Sequence, residues 1–344
     1  MSEPFVVRPR VPHAVRAPGT PGDAAAAVVA PAPVRRHLPD HPALEPLLPY
    51  LADPEVTDVF INGVDGLFID RGQGAERVIG WRTDDVRRLA VELIGLGDRH
   101  LDDLTPLVDV RWEHGARVHA VLPPVACEGT VISIRLPSAH RLSLDDLGRC
   151  GMFDASVGAR LERLVAERAN VLVTGATGAG KTTLLGSMLG LVPASERIVT
   201  IEDVAELRID HPHHVRLEAR QANLEGAGGI GLARLVREAL RMRPDRLVVG
   251  ECRGEEVREL LTALNTGHDG GAGTVHAGGV PDVPARLEAL GALAGMDAVA
   301  LARQVASAIG AVVHVGRDAQ GVRRVSALAR PVVRRDRLEI EELT

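Results

Sequence analysis

Gly175-Ala-Thr-Gly-Ala-Gly-Lys-Thr-Thr183 is the stretch that decides the fold of this chain. Its residues 175–182 fit the phosphate-loop pattern G-x-x-x-x-G-K-[ST]. The apolar run before the loop predicts a buried strand over 170–174, and the run after it predicts a helix over 184–191. Because this pattern binds phosphate between a strand and a helix, the sequence predicts a nucleotide-binding α/β domain.

The loop has the chemistry that a nucleoside triphosphate requires. Its glycines let successive backbone N–H groups wrap a phosphate, and the helix that follows adds partial positive charge. Lys181, the only lysine in the chain, can reach the outer phosphates, and the hydroxyl of Thr182 can ligate Mg²⁺. We therefore expect ATP and Mg²⁺ as cofactors. The residues expected at the nucleotide are Gly175, Ala176, Thr177, Gly178, Ala179, Gly180, Lys181, Thr182 and Thr183.

Composition narrows the class of protein. The chain has 344 residues, a formal net charge of −6 and a pI of about 6.1, so no overall basic field for nucleic acid is expected. Three cysteines without metal or redox spacing indicate a reducing compartment. No stretch reaches the roughly 20 apolar residues of a membrane span, so we expect a cytoplasmic protein that meets a membrane only through partners.

Two folded units and a tail are predicted along the chain. Residues 1–38 are rich in Pro, Ala and Arg without apolar periodicity, which predicts a disordered tail. Residues 39–136 predict a small α/β domain, 137–152 a linker and 153–344 a second domain. The strands and helix expected in the first domain are 56–61, 67–70, 83–96 (the helix), 115–122 and 129–135.

Strands and helices alternate in the second domain, which predicts a mostly parallel sheet covered by helices. The expected strands are 170–174, 197–203, 214–220, 246–250, 273–276, 311–315, 322–328 and 337–340. The expected helices are 155–168, 184–191, 231–241, 255–265, 283–290 and 298–309.

Charged side chains follow several of these strands where parallel strands end beside the phosphate loop. Glu251 comes directly after an apolar strand and is the best candidate for orienting water or polarising the Mg²⁺ shell. Glu202 and Asp203 end another strand, although Asp203 fits a helix N-cap equally well. His276 ends a third strand and His268 precedes it. The histidines are as readily structural as they are sensors of the γ-phosphate.

Taken together, these motifs resemble those of the type II/IV secretion ATPases. The four segments GATGAGKTT, IVTIEDVAEL, ALRMRPDRLVVGECRG and TGHDGGAGTVHA occur in the order of that family's Walker A, Asp box, Walker B and His box. The resemblance covers roughly residues 45 to 310. Within the family, HHVRLEARQANLEGAG and the upstream segment VTDVFINGVDGLFIDRG most resemble the Tad/Flp pilus-assembly ATPases.

The resemblance implies an architecture and a function. It implies a RecA-like P-loop ATPase domain after a small PAS-like α/β domain. It implies a homo-hexameric ring that hydrolyses ATP and passes domain motions to inner-membrane platform proteins, for pilus assembly or type II-like secretion. It also implies a cytoplasmic location at the inner face of the membrane.

Roles for residues of the second domain follow from the same resemblance. Lys181 and Thr182 would bind phosphate and Mg²⁺. Glu251 would be the Walker B acid, which holds the metal directly or through water. The resemblance further implies an Asp-box acid and a His-box pair, which would be Glu202, His268 and His276.

Arginines of the first domain also match positions in the family. Arg117 and Arg135 match the N-terminal arginines that contact the γ-phosphate in related ATPases. A surface or salt-bridged arginine is the competing interpretation. The second-rank candidates within family motifs are Arg216, Arg220, Arg241 and Arg243.

Three alternatives to a pilus motor stay open at the sequence level. A conjugation or type IV secretion ATPase would carry the same motifs. A nucleotide-bound scaffold with little turnover would keep the loop, although Lys181, Glu251 and His276 argue against it. A nucleic-acid motor is disfavoured by the acidic balance.

Overall fold

The structure is a computed structural model that describes residues 36, 38–72, 74–83, 85–112, 115–137, 141–220 and 228–343. The tail predicted over residues 1–38 therefore lies outside the described residues, except for Arg36 and Leu38.

The first domain is built on a six-stranded antiparallel sheet. Its strands are β1 (Asp58–Asn62), β2 (Leu67–Asp70), β3 (Ala75–Arg77), β4 (Leu107–Arg111), β5 (Arg117–Val121) and β6 (Val131–Arg135). They lie in the order β3-β2-β1-β6-β5-β4. The α-helices of this domain are α1 (Leu48–Leu51) and α2 (Val86–Gly95), and short 3₁₀ turns lie at Pro42–Leu44 and Gly63–Asp65. Strands β3 and β4 are additions to the four strands that the sequence predicts.

Buried and more exposed residues alternate along these strands, so one face of the sheet packs against the helices. In β5 and β6, buried residues such as Val118 and Ile134 alternate with exposed or half-buried ones. The buried face packs on α2, which Asp85 caps by accepting a hydrogen bond from the N–H of Arg88 at 3.0 Å. Trp112 lies in this core, and its indole N–H donates to the carbonyl of Leu93 at 3.0 Å.

The second domain is built on an eight-stranded mixed sheet. Its strands are β7 (Val171–Gly175), β8 (Ile198–Glu202), β9 (His214–Glu218), β10 (Arg246–Val249), β11 (Ala272–His276), β12 (Ala311–Arg317), β13 (Arg323–Arg334) and β14 (Arg337–Glu342). They lie in the order β14-β13-β12-β7-β11-β10-β8-β9. Strands β7 to β12 pair in parallel, whereas β13 and β14 join as antiparallel strands.

Helices cover both faces of this sheet, because the central strands are apolar on both sides. The α-helices are α3 (Leu144–Arg149), α4 (Ala155–Ala166), α5 (Lys181–Leu189), α6 (Leu232–Ala239), α7 (Glu256–Leu264), α8 (Val283–Leu293) and α9 (Ala298–Ala308). Short 3₁₀ turns lie at Leu240–Met242 and Val280–Asp282. One core lies under α4 and α5, and the other lies under α6 to α9. The predicted α/β class, with a parallel sheet around the phosphate-loop strand, is confirmed.

Two arginines, Arg36 and Arg111, form contacts that reach beyond the first domain. Arg36 donates hydrogen bonds to the carbonyls of Val56 at 2.6 Å and Pro137 at 3.1 Å, and so joins the end of the predicted tail to the start of the predicted linker. Arg111, at the end of β4, donates to the carbonyl of Ala205 in the second domain at 3.2 Å. It also forms an ion pair with Glu218.

Among the described residues, no single helix is both long and apolar enough to cross a bilayer. The segments Val280–Leu293 and Ala298–Ala308 meet the length and composition criteria only as a pair, with a bend of 116° between them.

Candidate functional site

The phosphate loop joins β7 to α5 in a conformation that requires glycine. Gly178 and Gly180 have φ of +70° and +101°, in the left-handed region that glycine adopts without strain. Gly175 has φ of +152°, and a Cβ atom there would lie 2.3 Å from the carbonyl oxygen of Val315 on the neighbouring strand. The pattern of glycines in the sequence therefore has a steric cause in the fold.

Lys181, His276 and Glu251 form a continuous chain of contacts beside this loop. Strand β11 pairs with β7 in a register that places His276 opposite Gly175. His276 Nε2 lies 3.0 Å from Glu251 Oε1, and its Nδ1 lies 3.3 Å from Lys181 Nζ. The hydroxyl of Thr177 in the loop also lies 3.3 Å from that Nδ1. The structure therefore brings four of the predicted site residues together, namely Thr177, Lys181, Glu251 and His276.

Lys181 is buried and is held by the loop itself. Its ammonium group donates to the carbonyls of Gly175 and Ala176, both at 2.9 Å. Burial lowers the pKa of Lys181, and the Glu251 carboxylate opposes that shift. A phosphate oxygen can accept the same N–H donors, so this ammonium lies where it can bind an anion at the loop.

Arg253 is a further member of the cluster, and it was not among the residues predicted from the sequence. Its guanidinium donates to Glu251 Oε2 at 2.7 Å, while the other oxygen of the carboxylate faces His276. Burial raises the pKa of Glu251, but the Arg253 hydrogen bond and the cations nearby outweigh it, so the pKa is lowered overall. Burial lowers the pKa of His276, as does Lys181. The arrangement favours an ionised carboxylate beside a neutral imidazole.

Glu202 ends β8, a strand separated from β7 by β11 and β10. The environment of its carboxylate differs from that of Glu251. It is 3% exposed, and its Oε1 accepts hydrogen bonds from the N–H groups of Glu206 and Leu207, both at 2.9 Å. Within the described part of the chain its Oε2 has no hydrogen-bond partner, and burial raises the pKa of the carboxyl. Glu202 therefore holds the 203–207 loop at the sheet edge that carries Glu251.

Comparisons with known proteins identify the family to which the chain belongs. The sequence profile of type II/IV secretion system proteins matches residues 41–327. The chain belongs to the type II/IV secretion system protein family.

Two relatives show which members of the secretion family this chain is similar to. A putative conjugal transfer protein of Mycobacterium tuberculosis is 49% identical over 291 residues, which are 82% of this chain and 83% of that protein. The type IV secretion system protein VirB11 of Brucella suis is 33% identical over 268 residues, which are 68% of this chain and 73% of that protein.

Solved structures match the fold. The ATPase DotB of Legionella pneumophila gives a TM-score of 0.58 at 21% identity, and the match covers 87% of this chain and 84% of DotB. The pilus retraction motor PilT with bound ADP gives a TM-score of 0.59 at 20% identity, and the match covers 87% of this chain and 82% of PilT. At these identities the likeness concerns the fold alone.

The two histidines predicted to form a His-box pair lie at different places along the segment that contains β11. His276 ends the strand at the phosphate loop. His268 precedes the strand, and its Nδ1 lies 3.2 Å from the carbonyl of Ala263 in α7. Within one chain, the structure therefore does not bring His268 to the loop, and its predicted role stays a prediction.

Arg117 and Arg135 lie next to each other on the sheet of the first domain. They are direct cross-strand partners, so both point away from the apolar core. Arg117 donates to both oxygens of Asp109, at 2.8 and 3.0 Å, and Arg135 lies 3.6 Å from Asp58. The side chains are 48% and 64% exposed, so both can reach a further anion.

The same row continues to Arg111, which pairs with Arg117 across β4 and β5. Arg111 was not predicted as a functional residue, and it is the member of the row that contacts the second domain. The sequence could have indicated it only through the strand that it ends. Strand β4 was missed, although its buried Val108 and Val110 alternate with less buried residues.

The second-rank arginines have local surroundings. Arg216 donates to the carbonyl of Ala205, and it shares that partner with Arg111. Arg243 follows the short helix Leu240–Met242 with φ of +53°. The remaining two donate to carbonyls of nearby residues, Arg220 to Gly228 and Arg241 to Arg237.

The residues at the phosphate loop also fit a Mg²⁺ ion that is bound together with phosphate. Among the described residues, no group of three or more His, Cys, Asp or Glu side chains is arranged to hold a metal. Mg²⁺ bound to a nucleotide takes most of its oxygens from phosphate and water, and it needs only one or two protein ligands. Thr182 follows Lys181 at the start of α5, and the ionised Glu251 belongs to the cluster around Lys181, so these two residues suit that role.

Proposed function

We propose that this chain is an ATP hydrolase that works as a homo-hexamer and drives a Tad/Flp-type pilus or a type II-like secretion system. The observation that carries the proposal is the contact chain of Lys181, His276 and Glu251 at the phosphate loop. It combines a phosphate-binding cation with a carboxylate at the same sheet edge, which phosphoryl transfer to water requires.

Each residue has a proposed part in hydrolysis. Lys181 exchanges the loop carbonyls for phosphate oxygens and neutralises the charge that develops on them. Glu251 orients the attacking water. His276 and Arg253 hold the two carboxylate oxygens of Glu251 in place. Mg²⁺, when bound by Thr182 and Glu251, supplies further neutralisation of the phosphates.

The energy of ATP hydrolysis would be converted to mechanical work through the contact between the two domains. Arg117 and Arg135 offer two partly exposed cations on the first domain for the γ-phosphate of a nucleotide. Loss of that phosphate would release the first domain, and a ring of such subunits would pass the motion to inner-membrane platform proteins. On this proposal the protein is cytoplasmic and lies at the inner face of the membrane through those partners, without direct binding to nucleic acid.

A type IV secretion or conjugation ATPase is the second candidate. The relatives favour it, since one is named a putative conjugal transfer protein and another a type IV secretion system protein. Deletion of the gene in its host separates the two candidates: loss of surface pilus fibres supports the first, and loss of DNA or protein transfer with fibres intact supports the second. Retention of both, with no ATP turnover, would favour a nucleotide-bound scaffold.

The test of the motor is ATP turnover as a function of protein concentration, with wild type, Arg135→Ala and Glu251→Gln. We expect turnover per chain to rise with concentration, and Glu251→Gln to lower it by at least ~100-fold. A mixture of the two variants should exceed the activity of either alone. Equal turnover by a dilute monomer would contradict a site shared between subunits.

A further inference from the structure

Two arginines lie against the phosphate loop on the side away from His276. Strand β7, which carries the loop, lies between β11 and β12 in the sheet. His276 ends β11, whereas Arg317 ends β12 and Arg323 begins β13. The loop is therefore flanked by the His276 and Glu251 cluster on one side and by two cations on the other.

Both guanidinium groups donate to one atom. Arg317 donates to the carbonyl oxygen of Gly178 at 3.2 Å, and Arg323 donates to the same oxygen at 3.1 Å. Arg317 also donates to the carbonyl of Gly321 at 2.9 Å. These neutral carbonyls offer only partial charges to two full positive charges that repel each other. Burial lowers the pKa of Arg323, and the Arg317 cation lowers it further, in agreement with that repulsion.

These two cations lack the counter-charge that their neighbour has. Arg324 pairs with Asp318 at 2.6 Å and donates to the carbonyl of Gly151 at 2.9 Å. Among the residues that the structure describes, no carboxylate forms an ion pair with Arg317 or Arg323. Arg317 also lines an open cavity of about 480 Å³ beside Ala176 and Thr177. Space for a ligand therefore exists beside the cation and the loop.

We propose that Arg317 and Arg323 form a second phosphate clamp, which binds the phosphates of a nucleoside di- or triphosphate from the β12 side of the loop. The clamp rests on the proposed nucleotide binding and adds two cations to the one that Lys181 supplies. A phosphate between the two guanidinium groups would accept charge-assisted hydrogen bonds and remove their mutual repulsion.

The test measures the dissociation constants of ADP and of inorganic pyrophosphate on the full chain, across a range of salt concentrations. The variants are Arg317→Ala with Arg323→Ala, the same pair changed to Gln, and Arg324→Ala as the matched control from the same hairpin. Circular dichroism and thermal unfolding establish that each variant is folded. Lys181→Ala serves as the reference for loss of the phosphate loop itself.

We expect both double variants to bind ADP and pyrophosphate at least ~10-fold more weakly, with a shallower dependence on salt, because two cations are lost. Arg324→Ala should stay within about twofold of wild type, since its charge is already paired. Wild-type affinity in the Gln pair would mean that the arginines only hold Gly178, and it would overturn the clamp. So would unchanged affinity in the Ala pair. If wild type itself bound no nucleotide, the proposed function would fail, and the clamp with it.

Discussion

Gly250 precedes Glu251 and must be glycine because of a side chain on the adjacent strand. A Cβ atom at Gly250 would lie 2.5 Å from Cγ of Glu202 and 2.9 Å from its Oε1. The two residues are coupled because Glu202 passes over position 250 to reach the N–H groups of the 203–207 loop.

We predict that Gly250→Ala destabilises the protein by about 1–3 kcal/mol, since it overpacks a closed site. Shortening the opposing side chain should relieve the collision, so Glu202→Ala should cost less in the Gly250→Ala background than in wild type. Denaturant unfolding of the four proteins of this double-mutant cycle measures the coupling. Additive free energies would contradict the contact.

His214 is a second residue whose surroundings make a measurable prediction. Its Nε2 lies 2.9 Å from the hydroxyl of Thr200, and burial, with Arg216 and other cations nearby, lowers its pKa to about 4. The unfolded chain takes up a proton near the ordinary pKa of about 6.5. Between these two values the unfolded state binds more protons, so stability falls as the pH falls from about 6.5 to about 4.

We predict that His214→Gln reduces the loss of stability between pH 7 and pH 5. For a group with this shift the loss over that interval is at most about 2 kcal/mol, and solvent screening makes it smaller. Urea unfolding at the two pH values measures it. His213→Gln, which changes an exposed histidine one residue away, is the matched control for the substitution itself. Equal pH dependence in His214→Gln and wild type would refute the assignment.

At the scale of elements, β10 is anchored at its start by a buried arginine. Arg246 is 3% exposed, and it bonds Glu196 at 2.6 Å and the carbonyl of Val165 at 3.1 Å. It therefore ties the strand that leads to Glu251 to the end of α4. Arg168 bonds the same carboxylate at 2.8 Å from a more exposed position, at 37%.

We predict that Arg246→Ala destabilises the protein by about 3 kcal/mol, because it removes a buried charge from a carboxylate that is itself mostly buried. Arg168→Ala, its matched control on the same acid, should cost about 1 kcal/mol. Guanidinium unfolding of both variants gives the comparison. A cost for Arg168→Ala equal to that for Arg246→Ala would show that burial does not set the difference.

At the scale of the whole molecule, Arg111 links the two sheets. It lies in the same cross-strand row as Arg117, but it bonds Ala205 and Glu218 of the second domain, whereas Arg117 bonds Asp109 within its own domain. Ala205 lies in the 203–207 loop that Glu202 holds. The contact therefore joins the first domain to a loop at the edge of the candidate site.

We predict that Arg111→Ala loosens the two domains without unfolding either, because it removes a cation that bonds both a carbonyl and a carboxylate across the contact. Small-angle scattering should show a larger radius of gyration, and limited proteolysis between the two domains should become faster. Arg117→Ala, the control in the same row, should leave both measurements as in wild type. An unchanged radius in Arg111→Ala would mean that other contacts hold the domains.

Patterns in consecutive residues were enough to predict much of this protein. The glycine spacing of 175–182, the apolar strands and the acids that follow them predicted the α/β fold and the positions of Lys181, Glu251 and His276. These features are local, because a strand, a turn and a helix each leave a pattern in neighbouring residues. Strands β3 and β4 escaped prediction. Strand β3 is three residues long and exposed throughout, so it has no alternation of buried and exposed residues. It forms by pairing with β2.

Only the tertiary structure decided which of the candidate residues meet. His268 and His276 were predicted as one pair, yet His276 ends β11 at the phosphate loop, whereas His268 precedes that strand and lies near the carbonyl of Ala263. Arg253 completes the Glu251 site, and Arg317 and Arg323 reach the phosphate loop from 139 and 145 residues away along the chain. Register, strand order and side-chain direction are set by pairing between distant segments, and no local pattern carries that information.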